Sequence, residues 1–292
     1  MGEYKVWLAK LLTIIVIIMV VTPIVGGAMS AVSGSLGPKV AVIELSGVIT
    51  DASEVLKALY SEARNKDTKA IVLRIDSPGG AVAPSEEIYN AVRRLKAEKP
   101  IVVSMGSMAA SGGLYSAASA SKIFCQPGTQ TGSIGVIMQV PNFSTIADKV
   151  GVSMITIKSG ALKDVGNQFR PMTEDDRRFL EEVAARVHKN FIQAIAEGRK
   201  LSVDKVEKFA DGRVLLGSDA KDLGLVDGFG DIYDAAREAL VLAKVELKAD
   251  QIPNLVYANK KKNFLERALD SESLIPSLVE WGSVPTLKYL AN

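Results

Sequence analysis

The sequence predicts an α/β protein with a largely parallel central sheet, and three observations carry that expectation. Short apolar runs alternate with charged amphipathic segments between Val40 and Ile157. Turn-forming residues, above all Asp76-Ser-Pro-Gly-Gly80, close the second of those runs. From Met172 onward the chain turns helical. Strands that alternate with helices pair in parallel through right-handed crossovers.

The elements follow in order. Ala31-Val-Ser-Gly-Ser-Leu-Gly-Pro38 is small and uncharged and reads as a linker. Val40–Leu45 reads as a strand, Ser53–Asn65 as a helix and Ala70–Ile75 as a second strand. A helix opens at Pro84-Ser-Glu-Glu and runs to Lys96, with proline near its start, where the missing N–H costs nothing. Ile101–Ser104 is the third strand, and a small-residue helix is expected from about Ala109. Ile123–Gln126, Ile134–Gln139 and Met154–Ile157 read as short strands. Helices are expected from Met172 to about Gly198, over Val203–Phe209 and over Ile232–Val245. The chain from Asp250 mixes prolines, Lys260-Lys-Lys262 and short apolar runs, and reads as a peripheral tail. The expected division is residues 1–30 as a membrane anchor, 31–38 as linker, 39–248 as catalytic domain and 249–292 as tail.

Leu11–Met29 contains no charge and is just long enough to cross a hydrocarbon core of about 30 Å. Lys5 and Lys10 precede it, and the next charge downstream is Lys39. That asymmetry predicts a cytoplasmic N-terminus and an extracytoplasmic domain in a single-pass membrane protein. A cleaved signal peptide is the rival, with Pro23 ending its apolar core, but the run continues past the usual length.

The formal net charge of +2 gives no reason to expect a nucleic-acid partner. The single histidine and single cysteine exclude a His- or Cys-rich zinc site within one chain, and no other cofactor is indicated. Cys125 lies in an apolar run and reads as a buried strand residue. His188 sits on a charged amphipathic helix and is the only histidine available for a Ser–His–Asp triad. If the chain is a hydrolase, another residue must take the proton.

Val103-Ser-Met-Gly-Ser-Met-Ala-Ala-Ser111-Gly-Gly-Leu-Tyr115 places a serine where a strand gives way to a helix, at the carboxyl edge of the sheet. Its small neighbours leave room for a peptide backbone to approach, although close packing of a Gly/Ala/Ser helix explains the same residues. Gly79 and Gly80 can turn amide groups toward a pocket, as an oxyanion hole requires, and helix-entry turn chemistry explains them equally well. A serine without histidine needs a neutral lysine. An ordinary lysine has a pKa of about 10.4, so a base near neutral pH needs its charged form destabilised by roughly 4 kcal/mol. Lys122, Lys158 and Lys163 lie on short segments near the sheet and are the candidates.

Four stretches, in this order, resemble the signal peptide peptidase A family in its short form with one catalytic domain. They are Ser104–Gly113, Thr131–Val136, Ile157–Asp164, and Asp211–Gly217 together with Gly224–Asp227. Arg170-Pro-Met-Thr173 fits as well, and the similarity runs from about Val40 to Val245. The resemblance implies a Clp/crotonase-like fold with helical additions, preceded by one N-terminal transmembrane helix. It implies Ser111 as nucleophile, Lys163 as general base and Ser133 as a hydrogen-bond partner of the lysine. Gly79 or Gly80, with the Gly112 amide, would form the oxyanion hole. The implied activity is a membrane-bound serine endopeptidase of Ser–Lys type that degrades remnant signal peptides and other hydrophobic peptides. The N-terminal helix would meet lipid. Relatives assemble into homo-oligomeric rings or domes, and the Ser111–Lys163 spacing allows the dyad to lie in one chain or across two. The competing readings are a same-fold protease specific for a membrane-protein partner and a non-catalytic oligomeric scaffold. A crotonase-type acyl-CoA enzyme fits less well, because export removes it from coenzyme A and no carboxylate pair is evident.

Overall fold

A computed structural model describes Met19, residues 37–248 and 251–259, and the backbone of Lys288–Leu290. The expected membrane span, Leu11–Met29, lies outside the described residues apart from Met19; among the described residues no helix is long and apolar enough to cross a membrane.

The first strands are nearly continuous apolar runs because the sheet is covered on both faces. Strand β1 (Lys39–Ser46) pairs in parallel with β2 (Ala70–Ser77), and β2 with β4 (Ile101–Ala109). Side chains alternate between the faces with the strand period of two. Ile43, Leu73 and Val103 enter one core, whereas Val42, Val72 and Val102 enter the other. The first core is closed by α1 (Ser53–Arg64), α2 (Val82–Leu95), the short α3 (Gly112–Ala117) and the C-terminal half of α5 (Glu174–Arg199). The second is closed by α8 (Ile232–Leu242) through Ala235, Ala236, Ala239 and Leu240.

Strand β4 serves two sets of neighbours. Its first half pairs with β5 (Lys122–Cys125), which continues the sheet to β8 (Gly228–Phe229). At its far end Met108 pairs with Gln130 of β6 (Gln130–Gly132), which is joined by antiparallel β7 (Val214–Leu216). The splay coincides with a register shift between Ile75 and Ser77. Asp76 fills the gap: its carboxylate accepts from the Met108 amide at 3.0 Å. Gly106 faces that carboxylate so closely that a Cβ there would sit 2.8 Å from its carbon. Completing the helices are α4 (Ser144–Lys149), α6 (Val203–Glu207) and α7 (Gly217–Leu223).

Several expectations are corrected. The third strand is longer than expected, so Ala109 is its last residue and the helix starts only at Gly112. Met154–Ile157 is not a strand; Ile155 and Ile157 are 84% and 96% exposed, with no neighbouring strand among the described residues to satisfy their backbone. Ile134–Gln139 forms no strand either: Ile137 makes a single bridge, and the ladder in that region belongs to β6 just before it. Part of the expected tail is structural, because β9 (Asn254–Tyr257) pairs in parallel with β1 at the sheet edge. Cys125 is buried on β5, and burial pushes its thiol up to about 11.

Phe191 is fully buried between the α5 and α3 layers, packed against Tyr115 at 4.9 Å between ring centroids with the rings tilted by 45°. Phe191→Ala is expected to cost about 3–5 kcal/mol in denaturant unfolding, whereas Val241→Ala on the exposed side of α8 should change stability by less than about 0.5 kcal/mol.

Candidate active site

Ser111 follows β4 and caps α3 with φ 52° and ψ −117°. That is a costly conformation for a residue with a Cβ, held because the backbone on either side is fixed. The Ala110 amide donates to Ser77 O at 3.1 Å, the Ser111 amide to Gly132 O at 2.9 Å, and the Tyr115 amide to Ser111 O at 2.9 Å. Gly113 lets α3 approach β2, since a Cβ there would meet Ser77 O at 3.1 Å. The Ser111 side chain is fully buried and its Oγ has no hydrogen-bond partner among the described residues. A buried hydroxyl left unpaired on a strained turn is the kind of exception that points to function.

The Gly132 carbonyl that holds the Ser111 amide precedes Ser133 directly. Ser133 is itself buried at φ 50°, and its amide donates to Arg213 O at 2.8 Å. Two strained serines therefore meet across the end of β4 and β6, which brings the Thr131-Gly-Ser133 and Asp211-Gly-Arg213 stretches to Ser111.

Gly79 and Gly80 form strand β3 (Gly79–Ala81) with Ala81, immediately after Ser77. Gly79 adopts φ 103°, and its amide donates to Ser77 Oγ at 3.1 Å. Gly80 packs backbone to backbone on Ile49: a Cβ would lie 2.1 Å from the Ile49 oxygen. The Gly112 amide, first in α3, makes no hydrogen bond among the described residues. Along β3 runs a second strand, β10 (Lys288–Leu290), antiparallel, with Leu290 opposite Gly79 and Tyr289 opposite Gly80. The edge beside Ser111 thus accepts an extended chain.

The candidate bases separate by their partners. Lys122 pairs with Asp227 at 3.6 Å. Lys158 is bound to Asp164 and donates to Ala161 O at 2.9 Å. Lys163 lies on a 3-10 turn, Ala161–Asp164, is exposed, and its ammonium makes no hydrogen bond or ion pair among the described residues. Ser111 Oγ has no partner among the described residues, so one chain does not bring Ser111 and Lys163 within hydrogen-bond distance. His188 is half-buried and its Nε2 contacts Ile134 O at 3.2 Å, so it is engaged elsewhere. Sequence reasoning missed Ser77, whose hydroxyl donates to Gly47 O at 2.6 Å and receives the Gly79 amide. Its only signal was its place inside Asp76-Ser-Pro-Gly-Gly80. It also missed the bonds that Arg170 makes to Asp164 and Asp176.

The family model described as peptidase family S49 matches residues 93–246, and the one described as Clp protease matches residues 38–138. A protein of Synechocystis sp., provisionally named a protease, is 40% identical over 222 residues, covering 74% of this chain and 80% of that protein. One of Enterococcus faecium, provisionally named signal peptide peptidase SppA, is 31% identical over 262 residues, covering 85% and 74%. The chloroplastic serine protease SPPA of Arabidopsis thaliana is 33% identical over 260 residues, covering 88% of this chain and 36% of that protein. A solved ClpP1 mutant from Listeria monocytogenes superimposes with a TM-score of 0.46 at 20% identity, over 66% of this chain and 93% of that one.

Gly80→Ala should displace β3 from Ile49, with a drop in melting temperature and loss of peptide hydrolysis. Gly128→Ala, where a Cβ meets open space, should alter neither measurement.

Proposed function

This chain belongs to peptidase family S49 as a serine protease of the signal peptide peptidase A type, and from that premise we propose a membrane-bound endopeptidase that works through a Ser111–Lys163 dyad. The observation that carries the proposal is the strained, buried Ser111 with its unpaired hydroxyl. Lys163 is favoured over Lys122 and Lys158 because those two are committed to carboxylates.

In the reaction, neutral Lys163 takes the Ser111 proton as Oγ attacks the peptide carbonyl. The Gly112 amide, with that of Gly79 or Gly80, holds the oxyanion; Gly79 exchanges its bond to Ser77 Oγ for one to substrate in the first case. The lysine ammonium returns the proton to the leaving amine, completing an acyl-enzyme. Water, deprotonated by the same lysine, then attacks the acyl carbonyl; the C–Oγ bond breaks, the ammonium returns its proton to Ser111 Oγ, and the acid leaves. Ser133 steadies the lysine. An extended hydrophobic peptide, a remnant signal peptide among them, takes the place of β10 along β3, in the same antiparallel sense.

The dyad is completed between copies in a ring-like homo-oligomer. Two features support that reading: the absence of a Ser111–Lys163 hydrogen bond within one chain, and the exposed Ile146, Val150, Met154, Ile155 and Ile157 around the lysine's segment. The uncharged run Leu11–Met29, with Lys5 and Lys10 before it and no charge after it until Lys39, supports an anchor with a cytoplasmic N-terminus and an extracytoplasmic catalytic domain.

The full chain in detergent, assayed on a fluorogenic hydrophobic peptide, should lose at least about a thousandfold in kcat/KM in both Ser111→Ala and Lys163→Ala. Mixing the two variants before assembly should restore part of the activity if the dyad is shared, and none if it lies within one chain. Retained hydrolysis in Ser111→Ala would sink the nucleophile assignment, and retained hydrolysis in Lys163→Ala the base assignment.

A further inference from the structure

Lys163 has an unusual support. Between Ile137 and Met172 only Ala147 is buried, so the segment that carries the lysine contributes almost nothing to the core. A cavity of about 410 Å³ opens beside its turn, bordered by Met154, Leu162 and Phe169, so apolar packing does not hold the turn either. What holds it is a chain of charges. Asp164, the residue after Lys163, receives Arg170 Nε at 2.9 Å through Oδ2 and Lys158 Nζ through Oδ1. Arg170 Nη2 donates to the Asp164 carbonyl at 3.1 Å and to Asp176 Oδ1 at 3.2 Å, and Nη1 donates to Asp176 Oδ2.

Asp176 is a fixed point. It is 3% exposed and forms the capping box of α5, accepting the Thr173 amide at 3.0 Å while its own amide donates to Thr173 Oγ1 at 3.1 Å. The far end of α5 is rooted in the core through Phe191 and Ile195. Hydrogen bonds from Arg170 hold the Asp164 and Asp176 carboxyls below the usual carboxylate range, so both stay ionised under assay conditions.

We propose that Arg170 is the positioning residue of the reaction: its guanidinium ties the Lys163 turn to the capped end of α5 and so sets where the lysine amine stands. The inference rests on the assignment of Lys163 as base. Arginine is suited to the task because a planar fork can serve two carboxylates and a carbonyl at once. A lysine at 170 keeps the charge but cannot span all three acceptors. A general base displaced by about 1 Å costs on the order of a hundredfold in rate without altering how substrate is held.

The test uses the full chain with Arg170→Lys, Asp164→Asn and Lys163→Ala, scored for kcat, KM, melting temperature and oligomer size. Asp164→Asn is the second variant because it leaves the α5 capping box and the Arg170–Asp176 bonds in place. The expected result is a fall in kcat of about a hundredfold for Arg170→Lys and about tenfold for Asp164→Asn. KM should stay within about twofold, with melting temperature and oligomer size unchanged. Arg170→Lys retaining kcat within about threefold overturns the proposal, and so does a loss of activity matched by a fall in melting temperature or a rise in KM in both variants. Lys163→Ala that stays active overturns the base assignment itself, and the positioning role falls with it. An inactive Lys163→Ala beside a fully active Arg170→Lys overturns the positioning role alone.

Discussion

The double pairing of β4 is the constraint from which the site follows. Its first half is locked between β2 and β5, and its last residues leave β5 to meet β6. A strand cannot make that change in register without an irregularity in its neighbour, and the shift between Ile75 and Ser77 supplies it. Asp76 then caps the Met108 amide, Ser77 is left facing Ala110 and Gly47, and β3 begins at Gly79. The chain leaving β4 has one route, into α3 packed on Ser77, and Ser111 takes the strain of that turn. The strained Ser111, the glycines of β3 and the strand-accepting edge are therefore consequences of one splayed strand.

The rest of the site is held differently. Ser111, Ser133 and the glycines are fixed by backbone hydrogen bonds inside the close-packed core, where small displacements are resisted. Lys163 stands on a solvent-facing segment tied down by ion pairs at one end and bordered by exposed apolar residues along its length. Such a division suits an enzyme in which the acid–base partner arrives with assembly: the nucleophile is preorganised in each chain, and the base is brought in by a neighbour.

Arg170 connects the two halves. The sequence marks it only as part of Arg170-Pro-Met-Thr173, where proline and threonine announce a helix start. The guanidinium converts that helix start into an anchor for a turn six residues upstream.

Strands β1, β2 and β4 and helices α1, α2, α5 and α8 were legible from local pattern, because burial on both faces of a parallel sheet writes long apolar runs and helix packing writes amphipathic ones. Ser111 and the glycines were legible as small residues at a strand end, though a packed Gly/Ala helix predicts the same letters. Met154–Ile157 misled for a physical reason: its apolar residues have the composition of a buried strand but face outward in the single chain. Strands β3, β6 and β7 are three residues each, paired with partners distant in the chain, a span too short for any period to register. Local composition thus dictated the layers and the place of Ser111 at a strand end. The strain at Ser111 and Ser133, the edge at β3 and the Arg170 clamp arose from long-range contacts, since each depends on which backbone groups and charges are brought together only once the sheet has closed.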